Sequence, residues 1–261
     1  MNSIEQLFSK KDKNILSIYF TAGFPELNDT GKIIESLQKN GADLIEIGMP
    51  YSDPLADGPV IQGSSMKALQ NGMTIRTLFD QLNSVDSINK TPLILMGYLN
   101  PVLQYGFEKF CEDAKQAGIS GIILPDLPLK EYENEYMRIF EKNDLGFIFL
   151  ITPETSEERI RKIDSISHGF IYAVSSSSIT GKNTDMDAQK SYFSRIKNMH
   201  LKNHVLIGFG IRNHQTFTQA CQYASGAIIG TAYIKAIEKA AYIDVATQEF
   251  LNSILQNEQS S

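Results

Sequence analysis

Cysteine is scarce in this chain: its 261 residues hold two, Cys111 and Cys221. Two isolated thiols inside helix-like patterns build no disulfide framework and match no metal-ligand spacing, so both read as buried core residues. Histidine is nearly as rare. His168, His200, His204 and His214 are scattered; only His200 and His204 stand four apart, which reads as a solvated helix end and leaves no His/Asp cluster for a catalytic metal. No run of 18 apolar residues occurs, and residues 1–14 lack an apolar signal core, so the chain is expected to be soluble and cytoplasmic. Basic residues are outnumbered, 24 Lys and Arg against 30 Asp and Glu, which argues against a nucleic-acid partner. A small anionic ligand stays open, because helix N-termini hold phosphate without a basic surface.

What the chain does have is apolar material, 42% of its residues, enough for a sizeable core. Eight short apolar runs, 15–20, 44–48, 92–96, 121–124, 147–151, 169–174, 205–208 and 227–230, mostly lack polar alternation, as parallel strands covered on both faces do. Helical patterns lie between them. Ile33, Ile34 and Leu37 are closed by Gly41, and Phe217, Ala220, Cys221 and Ala224 by Gly226. Thr155 with Glu158 reads as a capping box for the helix of Ile160 and Ile163, and Asn213 as the cap before Phe217. Eight strand–helix units predict an α/β fold, a (β/α)8 TIM barrel with a short extra N-terminal helix over 3–10. A single domain over 1–261 is expected, with a disordered polar tail at 256–261.

Strand starts lie 48 residues apart after the second run and 36 after the sixth, more than one strand–loop–helix unit needs. Long loops after barrel strands are where chemistry sits. In the second run, if Ile45 and Ile47 face the helices, Glu46 faces the interior. Desolvation there raises a carboxyl pKa toward neutrality and yields a group that both gives and takes a proton; the plain alternative is a buried acid satisfied by tyrosines. Beyond it, Pro50, Pro54 and Pro59 stiffen a loop carrying Asp53 and Asp57, each of which taken alone reads equally as a turn residue. Gly208-Phe209-Gly210 ends the seventh run and Gly230-Thr231 the eighth, with Gly181 in the loop that begins at the serines 175–178. One Gly-x-Gly is an ordinary strand-end turn. Paired after strands seven and eight, such pieces fit a phosphate site.

The stretch Ile45-Glu46-Ile47-Gly48-x-x-Tyr51-Ser52-Asp53-Pro54-Leu55-Ala56-Asp57-Gly58 resembles the signature of tryptophan synthase alpha subunits. Further similarity runs along the chain in Thr21-Ala22-Gly23-x-Pro25, Met96-Gly97-Tyr98-x-Asn100-Pro101, Pro125-Asp126-Leu127-Pro128, Thr180-Gly181 and Gly208-Phe209-Gly210-Ile211. The resemblance implies a lyase performing the retro-aldol cleavage of indole-3-glycerol phosphate to indole and glyceraldehyde 3-phosphate. It implies Glu46 as acid/base, Asp57 as the carboxylate on the indole nitrogen, and Tyr172 as an active-site tyrosine, which otherwise reads as an interior core residue. Substrate contacts fall on Tyr19, Tyr98, Thr180, Gly181, Phe209, Gly210, Gly230 and Thr231. It further implies no cofactor in this chain, and a beta subunit carrying pyridoxal phosphate, two chains of each kind, with indole passed internally. The loop of Pro50 to Pro59 is then an interface as well as a catalytic segment.

Two positions depart from the family pattern: Tyr19, where phenylalanine is usual, and Ser178, where glycine often precedes Ile/Val-Thr-Gly. A Schiff-base aldolase would place a lysine on a barrel strand, and none of the eight runs contains one. The competing readings are another phosphate-binding barrel, an isomerase or epimerase, and a non-catalytic subunit that only activates a partner.

Overall fold

The computed structural model describes residues 2–54, 57–85, 91–174, 186–208 and 210–256. Nine parallel strands form one sheet: β1 (Ile15–Thr21), β2 (Leu44–Gly48), β3 (Leu93–Met96), β4 (Ile119–Ile123), β5 (Gly146–Phe147), β6 (Phe149–Ile151), β7 (Phe170–Val174), β8 (His204–Gly208) and β9 (Gly226–Ile229). Their order is β5-β4-β3-β2-β1-β9-β8-β7-β6. The two ends, β5 and β6, are successive pieces of one line of chain. β5 pairs with β4, β6 with β7, and Ile148 between them donates to Ile122 O at 3.0 Å. The sheet thus closes on itself as the expected eight-stranded barrel, with its fifth strand handed from one neighbour to the other.

Helices cover the outside. Short α1 (Ser3–Lys10) precedes β1, and α2 (Asp29–Lys39) follows it. Two helices after β2, α3 (Pro59–Gln70) and α4 (Ile75–Leu82), account for the longest interval. α5 (Leu99–Tyr105) and α6 (Phe107–Gln116) follow β3, and α7 (Leu129–Glu131) passes through a π-helical turn at Tyr132–Tyr136 into α8 (Met137–Lys142). The remaining helices are α9 (Glu157–Ile166), α10 (Met186–Asn198), α11 (His214–Cys221), α12 (Thr231–Ile237) and α13 (Ile243–Leu255).

Strand alternation divides the core in two. Outward residues such as Ile18, Phe20, Ile45, Ile47 and Ile122 pack under the helices. Inward residues Ile15, Leu44, Ile94, Ile123, Phe170, Leu206 and Ile228 fill the barrel, joined from below by Ile4 and Phe8 of α1. Each such side chain contributes about 1.5–3 kcal/mol by leaving water. The Phe8 ring stacks on His204 with centroids 4.3 Å apart.

Several local expectations change. The cap of α9 is Ser156, whose side chain accepts from Arg159 N, while Thr155 instead accepts from Thr152 N. Asn213 does cap α11, in a capping box completed by Thr216. Gly41 follows α2 in a left-handed conformation, φ +96, as a helix-closing glycine does. Gly226 closes no helix; it is the first residue of β9, and a Cβ on it would strike the backbone carbonyl of Ile15. His204 begins β8 and its Nδ1 lies 2.9 Å from Ser225 Oγ, so it belongs to the barrel floor instead of a solvated helix end. Cys111 and Cys221 are buried free thiols. Gln256 caps the end of α13, and the rest of the expected tail, 257–261, lies outside the described residues.

Candidate active site

Glu46 lies on the inward face of β2, opposite Tyr19 on β1 and Ile94 on β3, and is fully buried. Ser17 Oγ donates to its Oε1 at 2.9 Å, while Oε2 has no hydrogen-bond partner among the described residues. Burial pushes the carboxyl pKa up to about 8, with the Ser17 hydrogen bond opposing. At neutral pH the group carries a proton and can release it within the physiological range.

Two tyrosines roof this carboxyl group, and glycines make room for them. A Cβ at Gly48 would collide with the Tyr19 hydroxyl, and one at Gly208 with the Tyr172 ring. Burial, followed for Tyr19 by Asp57 and for Tyr172 by Glu46, holds both phenols above their ordinary value of 10.0, so both are neutral donors.

Asp57 reaches the same place from the loop beyond β2. It is half-buried; burial raises its pKa, and the Tyr98 hydroxyl, donating to Oδ2 at 3.3 Å, opposes that shift. The Tyr51 ring packs against Tyr98 at 5.2 Å, and Gln62 Nε2 donates to Asp57 O at 2.8 Å, tying the loop to α3. Pro59 in the first turn of that helix presets its φ. Asp53 instead accepts from its neighbour Ser52 at 2.6 Å, a local turn contact.

Tyr19, Asp57 and Tyr172 line a cavity of about 260 Å³ at the ends of the strands, and Glu46 lies beneath it. Leu150, Val174, Ile211 and Ile228 give it apolar walls, and Thr152 adds a hydroxyl. Gly210, Gly230 and Thr231 also line it. β8 and β9 are neighbours, Gly208 pairing with Ile228, so the segments after them leave side by side. Gly210 has φ +75, and Gly230 is the residue before α12. Of the expected site residues, Glu46, Asp57, Tyr172, Tyr19, Tyr98, Gly210, Gly230 and Thr231 converge here. Thr180, Gly181 and Phe209, with Ser178, lie outside the described residues.

The sequence reading missed Ser17 and the walls Leu150, Thr152 and Ile228. Strand periodicity carried a signal for them, since Ser17 alternates with Tyr19, and Leu150 with Thr152. Among the described residues, no group of three or more His, Cys, Asp or Glu could hold a metal ion, and no helix is long and apolar enough to cross a membrane.

This combination of fold and site has counterparts. A family model described as tryptophan synthase alpha chain matches residues 5–260. The tryptophan synthase alpha chain of Flavobacterium johnsoniae is 56% identical over 255 residues, spanning 97% of this chain and 100% of that one. The alpha chain of Parabacteroides distasonis is 50% identical over 257 residues, spanning 98% and 100%. Tryptophan synthase subunit alpha from Legionella pneumophila superposes with a TM-score of 0.89 at 34% identity over 97% of both chains. A chain of M. tuberculosis tryptophan synthase in its aminoacrylate-bound form reaches 0.84 at 29% identity, covering 97% of this chain and 100% of that one.

Proposed function

The chain belongs to the tryptophan synthase alpha chain family, and from that premise we propose how its cavity cleaves indole-3-glycerol phosphate into indole and glyceraldehyde 3-phosphate. The observation that carries the assignment is Glu46, buried beneath the cavity floor with its pKa near 8, in one site with Asp57. The bond to be broken joins indole C3 to the carbinol carbon of the glycerol phosphate chain. Glu46 enters protonated and gives its proton to C3, converting the ring to an indoleninium cation. Asp57 accepts from the ring N–H and stabilises that charge. The carboxylate of Glu46 then removes the proton of the carbinol hydroxyl. As the carbonyl forms, the C–C bond breaks and its electron pair returns to the ring, restoring aromatic indole. Glu46 ends protonated, and one proton has moved from oxygen to carbon.

The apolar walls suit the indole ring, and Tyr19, Tyr98 and Tyr172 frame it. The phosphate sits on backbone N–H groups at Gly210, Gly230 and Thr231; by resemblance to the family, Thr180, Gly181 and Phe209, outside the described residues, are read as further substrate contacts. No electron-sink cofactor is required of this chain. Its partner is a beta chain, which supplies pyridoxal phosphate and consumes the indole; two alpha and two beta chains make the complex, and the Pro50 to Pro59 loop contributes to the contact. A sugar-phosphate isomerase would share the phosphate glycines but has no use for Asp57 at a ring nitrogen.

Release of indole from indole-3-glycerol phosphate by the purified chain, alone and with a beta chain, tests the reading. Indole should appear, with activity falling as pH rises through about 8. Failure of the folded chain to release indole in either setting overturns it.

A further inference from the structure

Ser17 is a polar residue with no solvent exposure in the middle of β1. The register sets it beside Leu44 and sets Tyr19 beside Glu46, so Ser17 lies one inward layer below the carboxylate's own position. Across that step its hydroxyl donates to Glu46 Oε1 at 2.9 Å. A serine has one hydrogen to give. Oε1 receives it, whereas Oε2 is buried without a hydrogen-bond partner among the described residues. The two oxygens of one carboxyl group are therefore unequal.

The titratable groups facing this carboxyl are Tyr19 on β1, Tyr172 on β7 and Asp57 beyond β2, with Tyr98 beyond β3 against Asp57. β3, β8 and β9 present Ile94, Leu206 and Ile228 to the interior. None of these groups is cationic, so among the described residues the Ser17 hydroxyl is the one contact that favours the ionised form.

We propose that Ser17 is a positioning residue for the reaction: by holding Oε1 it fixes the plane of the Glu46 carboxyl beneath the two tyrosines and leaves Oε2 as the oxygen that exchanges the proton with substrate. The assignment rests on the acid–base reading of Glu46. With Oε1 accepting from serine, the proton of the neutral acid resides on Oε2, and after transfer to C3 the same oxygen faces the carbinol hydroxyl.

Ser17→Ala removes the donor and little volume. The expected result is a kcat about tenfold lower, a KM for indole-3-glycerol phosphate within about twofold of the parent, and a high-pH limb moved upward by about one pH unit. Ser17→Cys, a near-isosteric but weaker donor, should fall between. Carbon-13 NMR of glutamate-labelled chain, with Glu46→Gln identifying the resonance, follows the same titration directly. A limb and a resonance both unmoved in Ser17→Ala overturn the proposal. A resonance that moves while the limb stays put means that Glu46 is not the titrating catalytic group, and overturns the acid–base reading beneath it.

Discussion

Burial decides what Glu46 is, and two measurable properties follow from it. Glu46→Gln keeps the shape but cannot shuttle protons; kcat should fall about a hundredfold or more while glycerol phosphate binding holds. Near-normal steady-state cleavage would remove Glu46 from the mechanism. The same carboxyl also couples stability to pH. Its pKa rises from 4.5 to about 8 on folding, so between those values the folded chain keeps a proton that the unfolded chain has released. Stability conferred by the neutral acid is complete below about pH 4.5, declines through the window and levels off above about 8. Urea unfolding should show Glu46→Gln more stable than the parent at pH 8 by on the order of a few kcal/mol, the gap closing near pH 4. A pH-independent gap would mean that Glu46 is ionised in the fold. For Asp57→Asn, cleavage should be crippled with substrate still bound, because an amide meets the ring N–H but cannot neutralise a cation; normal turnover with weakened binding would make Asp57 a binding residue only.

At the level of elements, three glycines fill roles that no propensity scale describes. Gly48 and Gly208 open the space occupied by Tyr19 and Tyr172, and Gly226 lets β9 approach the backbone of β1. Gly226→Ala meets main chain that cannot swing away and should cost about 2–3 kcal/mol or more, read by denaturant unfolding. Gly208→Ala meets a ring that can move. It should fold but change the near-UV circular dichroism of its tyrosines, which no tryptophan masks in this chain, and lose cleavage. An unchanged spectrum with full activity would detach Tyr172 from the site. The strands were legible because parallel strands covered on both faces read as apolar runs, and Glu46 was legible as an acid among isoleucines. The break at Ile148 was not, since that residue is as apolar as Phe147 and Phe149 and the break arises from closing the ring. Thr155 and Ser156 are adjacent, equally plausible caps, and only the backbone path distinguishes them. Gly226 follows a helical pattern and so mimics a helix stop; the reason for it lies in β1, more than two hundred residues away. Ile228 and Leu150 look like any core residue until the fold sets them against the cavity.

At the scale of the whole molecule, we propose that 1–261 is one domain, because the strands among the described residues belong to one sheet, with the site gathered from loops far apart in sequence. The phosphate side tests that gathering. Among the described residues nothing lies near a Cβ at Gly210, but its left-handed φ of +75 strains any L-residue there by about 1–2 kcal/mol. Gly210→Ala isolates that strain, and Gly210→Asp adds a charge that repels the dianion. Calorimetry with a glycerol phosphate analogue should show Gly210→Asp binding at least about tenfold more weakly than Gly210→Ala. Equal affinities would place the phosphate elsewhere. The opposite end of the barrel sets a different limit. Ile4 and Phe8 of α1, with Phe8 stacked on His204, stopper the floor, so the vessel is emptied through its mouth. Among the described residues that packing offers an apolar product as small as indole no rear exit, so it leaves across the face where the strands end. The direction of its traffic is thus written by eight residues at the start of the chain, and whatever receives indole must bring its own entrance to that rim.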